Sequence, residues 1–338
     1  MRQAVITKYG APEVIQIREA PDPVPGDGDV RIAVRAAGVN FADIMARLGL
    51  YPDAPKPPLV VGYEVAGIVD AVGPNVTDVR VGDRVMALTK FGGYATAVVT
   101  HASFVFPVPS GLSDVEAAAV PVNYVTALIA LYRMANVARG ETVLIYGAGG
   151  GVGIAATQLA KLRGATVIGT ASSSKIAAIQ ALGVDHPIDR QHADVSAEVR
   201  RLTSGRGADV ILDSIGGSSF GVSYRLLAPL GRLVIFGVSS LAAGPRRRIL
   251  HTLWTLARMP AFRPMSLMNQ NRGVFGLNLG HLWDQRHHLH AVMELLLEEI
   301  SAGRLRPIVA QTFPLERTAD AQRYMQSRSN VGKVVLVA

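Results

Sequence analysis

The chain has 338 residues, 49% hydrophobic and 18% charged, which is ample apolar sequence for buried cores and too little polarity for wholesale disorder. It has no cysteine, so disulfides and every thiolate-held zinc site are excluded. The 34 basic and 26 acidic residues give a net charge of +8. That charge is spread along the chain apart from Arg246-Arg247-Arg248, so an anionic small ligand is expected and nucleic acid is not.

The opening MRQAVITKYG lacks the apolar centre and cleavage site of a secretory signal, and no uninterrupted apolar run approaches the length of a membrane span. With the missing cysteines this predicts a cytoplasmic location. Residues 1–110 then read as short β-runs (AVITKYG, VIQIREA, DVRIAVRAAG, YEVAGIVDAVG, DRVMAL, YATAVVT) separated by Gly, Pro and Asp turns, the pattern of an all-β barrel-like domain. One helical stretch, FADIMARLG, follows Asn40.

From about Ser113 the pattern changes. Helical spacing runs from Asp114 to Ala135, its start marked by Ser113 and by Glu116 three residues on. Strands such as TVLIY, TVIGT, ADVILDSIG and RLVIFGV then alternate with helical segments, which predicts a parallel sheet covered on both faces. GVFGLNL at 273–279 supplies a last strand of that sheet. Residues 241–271 form an irregular basic and apolar insert, a long helix is expected at about 283–302, and the closing GKVVLVA is a strand that could return to the first domain.

The strand Thr142–Tyr146 leads into Gly147-Ala148-Gly149-Gly150-Gly151-Val152-Gly153 and a helix. Counting back from Gly153 gives A-x-G-x-x-G, with Ala148 in the first glycine place. Between a strand and a helix this pattern binds a dinucleotide: small residues let the backbone approach the pyrophosphate, and the helix start offers unpaired N–H groups. NAD-binding units carry an acidic residue about 20 positions on to hold the ribose 2′-hydroxyl. Here Ala171-Ser172-Ser173-Ser174-Lys175 stands there instead, and hydroxyls with a lysine suit a 2′-phosphate. NADPH is therefore expected over NADH, with Arg190 as a second cation; a solvated helix-start lysine is the alternative for Lys175.

Together these residues resemble the zinc-free quinone oxidoreductase branch of the medium-chain dehydrogenase/reductase superfamily. The likeness rests on Gly140-Glu141, Leu144, Ala148 to Gly151, Gly153, Gln158 and Lys161, on AAGVNFADIMARLGLYP, GYEVAGIVDAVG and VGDRVMAL, and on the terminal strand. NRGVFGLNLGHLW and the insert before it are most similar to the vesicle amine transport protein subgroup. The resemblance implies an α/β fold in which a doubly wound Rossmann sheet is inserted into a chaperonin-10-like β-barrel catalytic domain. The catalytic domain would comprise 1–121 and 281–338, and the NADPH-binding domain 122–280. It also implies a homodimer formed through the last Rossmann strand.

In the zinc enzymes of that superfamily three residues hold the metal; the resemblance puts Asn40, Tyr63 and approximately Val122 in their places. An amide, a phenol and an alkyl group do not make a zinc site, so no metal is expected. His287, His288 and His290 lie in a polar stretch of the long helix and read as a solvated face. Without a Lewis acid, an ordinary ketone is a difficult acceptor, whereas a quinone or activated enone accepts hydride directly.

Likeness to the branch puts Asn40 beside the nicotinamide and acceptor, has Asp43 order the pocket, and sets Tyr51 where related enoyl thioester reductases carry a proposed proton donor. A helix-start carboxylate and a packed loop aromatic are the structural alternatives for Asp43 and Tyr51. Tyr63 is expected to shape the pocket. Asn123 and Thr126 are expected at the nicotinamide ribose, and Tyr124 there or in packing. Gly237, Val238 and Ser239, with Phe275, Leu277 and Asn278, are expected over the nicotinamide, the alternative for the apolar ones being core. The function that follows is a metal-independent NADPH-dependent reductase of a quinone or other α,β-unsaturated carbonyl. The alternatives are an enoyl thioester reductase and a non-catalytic NADPH-binding protein at a membrane surface, the last motivated by PRRRILHTLWTLARMPAFRP.

Overall fold

The computed structural model describes residues 1–242, 244–245 and 248–338. In chain order its strands are β1 (Arg2–Ile6), β2 (Ile15–Glu19), β3 (Asp29–Val39), β4 (Leu59–Val60), β5 (Glu64–Val72), β6 (Arg84–Leu88), β7 (Ala97–His101), β8 (Val105–Pro107), β9 (Thr142–Ile145), β10 (Thr166–Ala171), β11 (His186–Asp189), β12 (Ala208–Asp213), β13 (Leu227–Ile235), β14 (Gly273–Gly276), β15 (Val309–Pro314) and β16 (Lys333–Val337). The α-helices are α1 (Phe41–Arg47), α2 (Asp114–Ala117), α3 (Pro121–Leu128), α4 (Gly151–Leu162), α5 (Ile176–Ala181), α6 (Val195–Leu202), α7 (Ser219–Arg225), α8 (Ile249–Ala257), α9 (Pro264–Gln270), α10 (Arg286–Ser301) and α11 (Thr318–Gln326). They form two units: Met1–Val125, Gly244–Arg247 and Leu279–Ala338, and Thr126–Ala243 with Arg248–Asn278.

The first unit is a β structure. A sheet ordered β15-β16-β3-β5-β6-β8, with β7 also paired to β3, carries most of it, beside a smaller sheet β2-β1-β4. The 11-residue β3 is its spine, pairing antiparallel with β5, β7 and β16. Alternation drives this: Val30, Ile32 and Val34 point into the core with Val65, Val69, Val85 and Val98, while Asp70 lies outside. The closing strand returns across the chain as expected, with Val334 opposite Val39 and Val337 opposite Ala36. That register puts Lys333 next to the start of α1.

The second unit is a parallel sheet ordered β11-β10-β9-β12-β13-β14. Its central strands carry continuous apolar runs rather than alternating ones; all six residues of β12, its two aspartates included, are buried, as a strand covered on both faces requires. The order reverses between β9 and β12, the switch point at which open sheets of this kind leave a crevice at the carboxyl ends of their strands.

Two expectations change. The insert is more regular than its composition suggests: it folds as α8 and α9, with Pro260 between them and Pro264 at the first turn of α9, where a missing N–H costs nothing. Arg246 and Arg247 of the basic run lie outside the described residues. The helical run Asp114–Met134, with a mean hydropathy of 1.4, is long and apolar enough to cross a membrane. However, 78% of that window is buried inside the protein, the state of a core helix. The Ser113–Glu116 capping box starts the run, Ser113 N donating to Glu116 Oε2 at 2.9 Å and Glu116 N to Ser113 Oγ at 3.2 Å.

Candidate active site

In the first unit the chemistry collects where β3 ends and its neighbours on either side, β5 and β16, begin. Lys333 and Glu64 are 1% and 0% exposed and form an ion pair through Lys333 Nζ and Glu64 Oε1. Lys333 Nζ also donates to Asn40 Oδ1 at 2.6 Å, and Asn40 Nδ2 donates to Glu64 Oε1 at 2.9 Å. Glu64 Oε2 accepts from the Val122 amide at 2.7 Å. Two charges taken this far from water are tolerable only with such full pairing. Gly38 makes the room: a Cβ there would lie 2.5 Å from Glu64 Oε1 and 2.6 Å from the Ala118 carbonyl.

This geometry engages both ends of the Asn40 side chain. Its amide oxygen is held by Lys333, and its amide hydrogens face Glu64 and the Gly38 carbonyl at 3.4 Å. Asn40 is a member of the ion-pair network with a fixed orientation. The sequence reading also missed Glu64 and Lys333. The signal available was a Glu and a Lys opening two strands that continue with apolar or small residues, positions at which an isolated charge would be excluded.

Asp43 is fully buried at the start of α1 and joins three chain segments. Its Oδ2 accepts from Asn40 N at 2.7 Å and from Tyr94 Oη at 2.6 Å, and its Oδ1 from Gly62 N at 3.0 Å. Burial pushes its pKa up to about 7, against the pull of Tyr94, the Asn40 amide and the Lys333 charge. It orders the corner rather than merely facing a helix dipole.

Tyr63 lies 8% exposed beside this corner, with Tyr51 edge-on at 6.1 Å and Phe91 tilted at 5.4 Å between ring centroids. Burial and the nearby Asp43 push the Tyr63 phenol up, so it stays protonated. Val122 presents its backbone amide to Glu64, so the three positions compared with zinc ligands offer an engaged amide, a protonated phenol and an alkyl chain. That set does not suit zinc. Among the described residues no group of three or more His, Cys, Asp or Glu side chains could hold a metal; His287, His288 and His290 are exposed on α10. Asn123 is buried, its Nδ2 donating to the Ala119 carbonyl at 3.2 Å and its Oδ1 3.5 Å from Lys333 Nζ.

In the second unit the glycine turn has the form expected of it. Gly150 precedes α4, whose first amides belong to Gly151, Val152 and Gly153. A Cβ on Gly153 would lie 2.4 Å from the Gly147 carbonyl and 2.7 Å from Ala148 Cα, so only glycine permits this approach of helix to turn. Ala148 N bonds to the Thr170 carbonyl at 3.0 Å, tying the turn to β10. Lys175 is 9% exposed, and a Cβ on Gly149 would meet its Cδ at 3.3 Å, so its stem runs beside the turn. It is not the solvated helix-start lysine that was the alternative. Ser172 Oγ is 3.4 Å from Ser174 Oγ, and Arg190 is exposed just after β11.

A cavity of about 360 Å³ opens at the carboxyl ends of β9 and β12, bordered by Tyr146, Ile215, Gly216, Ser240, Trp254 and Thr255. Ser240 Oγ and Thr255 Oγ1 are buried there without a hydrogen-bond partner among the described residues, which suits a polar ligand. Asp213 shapes its wall, accepting from Ile215 N at 2.8 Å, Ser219 Oγ at 2.7 Å and Ser223 Oγ at 2.6 Å. Gly237, Val238 and Ser239 follow β13, the last bonding through its amide to the Ser214 carbonyl at 2.9 Å. Leu277 is core, with its amide on the Ile235 carbonyl at 2.8 Å, whereas Phe275 and Asn278 are exposed. Thr126 is buried on α3, as is Tyr124 of the first unit on the same helix. The sequence reading missed Thr255 because it lies in the insert, which carried no cofactor signal.

Two measurements check the first-unit site. Lys333→Met strands a buried carboxylate and is expected to cost about 3–5 kcal/mol in urea unfolding, while adding Glu64→Gln recovers a large part of it; additive losses would mean the charges do not interact. Asp43 keeps its proton to about pH 7 when folded but loses it near 3.8 when unfolded. Between those values the unfolded chain binds fewer protons, so the stabilisation from this residue falls as pH rises through the window and is constant outside it. The wild-type stability relative to Asp43→Asn should decline there by a few kcal/mol, about 1.4 per pKa unit; a flat difference would mean that folded Asp43 is ionised throughout.

Comparison with known proteins agrees with both units. Residues 26–110 match the alcohol dehydrogenase GroES-like domain and residues 182–336 the zinc-binding dehydrogenase family. The human synaptic vesicle membrane protein VAT-1 homolog is 38% identical over 340 residues, spanning 100% of this chain and 86% of that protein. A quinone oxidoreductase of Pseudomonas syringae pv. Tomato DC3000 superposes with a TM-score of 0.87 at 32% identity, covering 100% of this chain and 99% of that one. A mycobacterial protein complexed with NADPH does so with a TM-score of 0.88 at 31% identity, covering 100% of both chains. The GroES-like β unit, the Rossmann sheet and these likenesses together make the chain a member of the medium-chain dehydrogenase/reductase superfamily of oxidoreductases, related to the VAT-1 homologs.

Proposed function

We propose that the protein is a metal-independent reductase that uses NADPH to reduce a quinone or another activated α,β-unsaturated carbonyl. The observation that carries the reading is the buried Lys333–Glu64–Asn40 network with Tyr63 beside it: the Glu64 carboxylate is committed to Lys333, Asn40 and the Val122 amide, and a protonated phenol does not suit zinc. A site without a Lewis acid suits an acceptor that is already electrophilic. The quinone oxidoreductase and the NADPH complex among its structural likenesses support the same chemistry.

The Rossmann unit fits the cofactor. The amides of Gly149 to Gly153 at the start of α4 would take the pyrophosphate, and Ser172, Lys175 and Arg190 the 2′-phosphate. Bound there, reduced nicotinamide supplies a hydride, which with one proton completes a two-electron reduction. The chain's own contribution is positional: the ion-pair network holds the end of β3, Asp43 holds α1 against Gly62 and Tyr94, and Tyr51, Tyr63 and Phe91 give the corner an apolar, aromatic wall. A homodimer through the open edge of β14, where Phe275 is exposed, belongs to the same reading.

Loss of reduced-nicotinamide absorbance with 1,2-naphthoquinone, in EDTA, tests it. NADPH should be oxidised well above the rate without protein and NADH much more slowly. Lys175→Ala should raise KM for NADPH about tenfold, the worth of one charge-assisted hydrogen bond, and leave NADH nearly unchanged. Sensitivity to EDTA or equal use of both cofactors would overturn the reading.

A second reading draws on α8, which exposes Ile249, Leu250, Leu253 and Trp254 to 60, 84, 57 and 56%. Such an apolar helix face beside cations suits a lipid surface. Salt-resistant co-sedimentation with anionic vesicles, lost in Leu250→Glu/Leu253→Glu, would favour it; no sedimentation would remove it.

A further inference from the structure

Tyr63 and Tyr94 of the first unit differ in one respect. Tyr94 is fully buried and its hydroxyl donates to Asp43. Tyr63 is almost as buried, yet its Oη has no hydrogen-bond partner among the described residues. A buried hydroxyl left unmet costs about 1–3 kcal/mol, and a phenylalanine would fill nearly the same volume without that cost. The strain is not a by-product of a loose loop, because the backbone around it is tied down. Thr89 N donates to the Tyr63 carbonyl at 2.9 Å, and Thr89 Oγ1 to the Gly62 carbonyl at 2.9 Å. The neighbouring carboxylate offers no relief, since Asp43 already accepts from Asn40, Gly62 and Tyr94.

The surroundings indicate what such a donor would meet. Tyr51 and Phe91, both half-buried, flank the Tyr63 ring at 6.1 and 5.4 Å, so the hydroxyl belongs to a wall of three aromatic rings. Flat conjugated molecules pack against such rings in offset or edge-to-face contact, which aliphatic ones cannot reproduce. A protonated phenol in low dielectric is also a strong donor to a carbonyl oxygen that gains negative charge.

We propose that Tyr63 is a catalytic residue that binds the acceptor, its hydroxyl donating to a carbonyl oxygen of an aromatic quinone packed against Tyr51 and Phe91. The inference rests on the reductase reading and narrows its substrate from activated carbonyls in general to aromatic quinones.

Tyr63→Phe tests the hydroxyl and Tyr63→Leu the ring. Binding of 1,2-naphthoquinone to the cofactor-free protein, followed by quenching of intrinsic fluorescence, should weaken about tenfold in Tyr63→Phe. kcat/KM for the quinone should fall at least tenfold, with NADPH affinity unchanged and the thermal midpoint equal or higher. Tyr63→Leu should in addition reduce the preference for the naphthoquinone over an aliphatic enone. Wild-type quinone reduction with Tyr63→Phe unaltered in binding and kcat/KM would overturn the role of the hydroxyl while leaving the reductase reading standing; it would mean that water satisfies the phenol. A wild-type protein that binds NADPH but neither binds nor reduces any quinone would overturn both.

Discussion

A lysine ammonium and a glutamate carboxylate, both removed from water, organise the first unit. Lys333 opens the last strand, Glu64 opens β5, and Asn40 follows β3, so the pair can form only after strands far apart in sequence have found their register. Burying either charge alone would cost several kcal/mol, and the hydrogen bonds to Asn40 and the Val122 amide are what make the pair tolerable. The network therefore commits the terminal strand, the start of α1 and the entry to α3 to one arrangement. It also engages both the amide oxygen and the amide nitrogen of Asn40.

A second polar centre is layered on the first. Asp43 lies three residues along from Asn40 and reaches the Gly62 amide and the Tyr94 hydroxyl; with Thr89 N donating to the Tyr63 carbonyl, the segment carrying Tyr63 is held on both sides. The rigidity matters because Tyr63 carries a buried hydroxyl without a partner, a state a mobile residue would relax away. Satisfied polar groups surround an unsatisfied one. Exposure does not show that contrast, since all of these side chains are buried.

The second unit reaches its site by backbone rather than by charge. Its glycines permit contacts that a single methyl would forbid, and the strand order reverses between β9 and β12, where the cavity opens. Lys175 beside Gly149 adds the cation where dinucleotide folds choosing NAD carry a carboxylate. The insert contributes Trp254 and Thr255 to the cavity border while leaving an apolar face of α8 outside it, so one helix serves two surfaces.

What the sequence determined by itself is local. Alternation in β3, the apolar runs of β9 and β12, the Ser113–Glu116 box and the spacing of Ala148, Gly150 and Gly153 each act over a few residues, and physics at that range leaves a readable pattern. The absence of cysteine and of a carboxylate after β10 was equally plain. The tertiary structure alone decided that Lys333 meets Glu64 and Asn40, that Asp43 bridges to Tyr94, and that Tyr63 is left a donor without an acceptor. These outcomes depend on strand register between segments up to nearly the full chain length apart. A lone Lys or Glu at the head of an apolar strand carries no mark of its partner, because partnership is a property of the pairing and not of either residue.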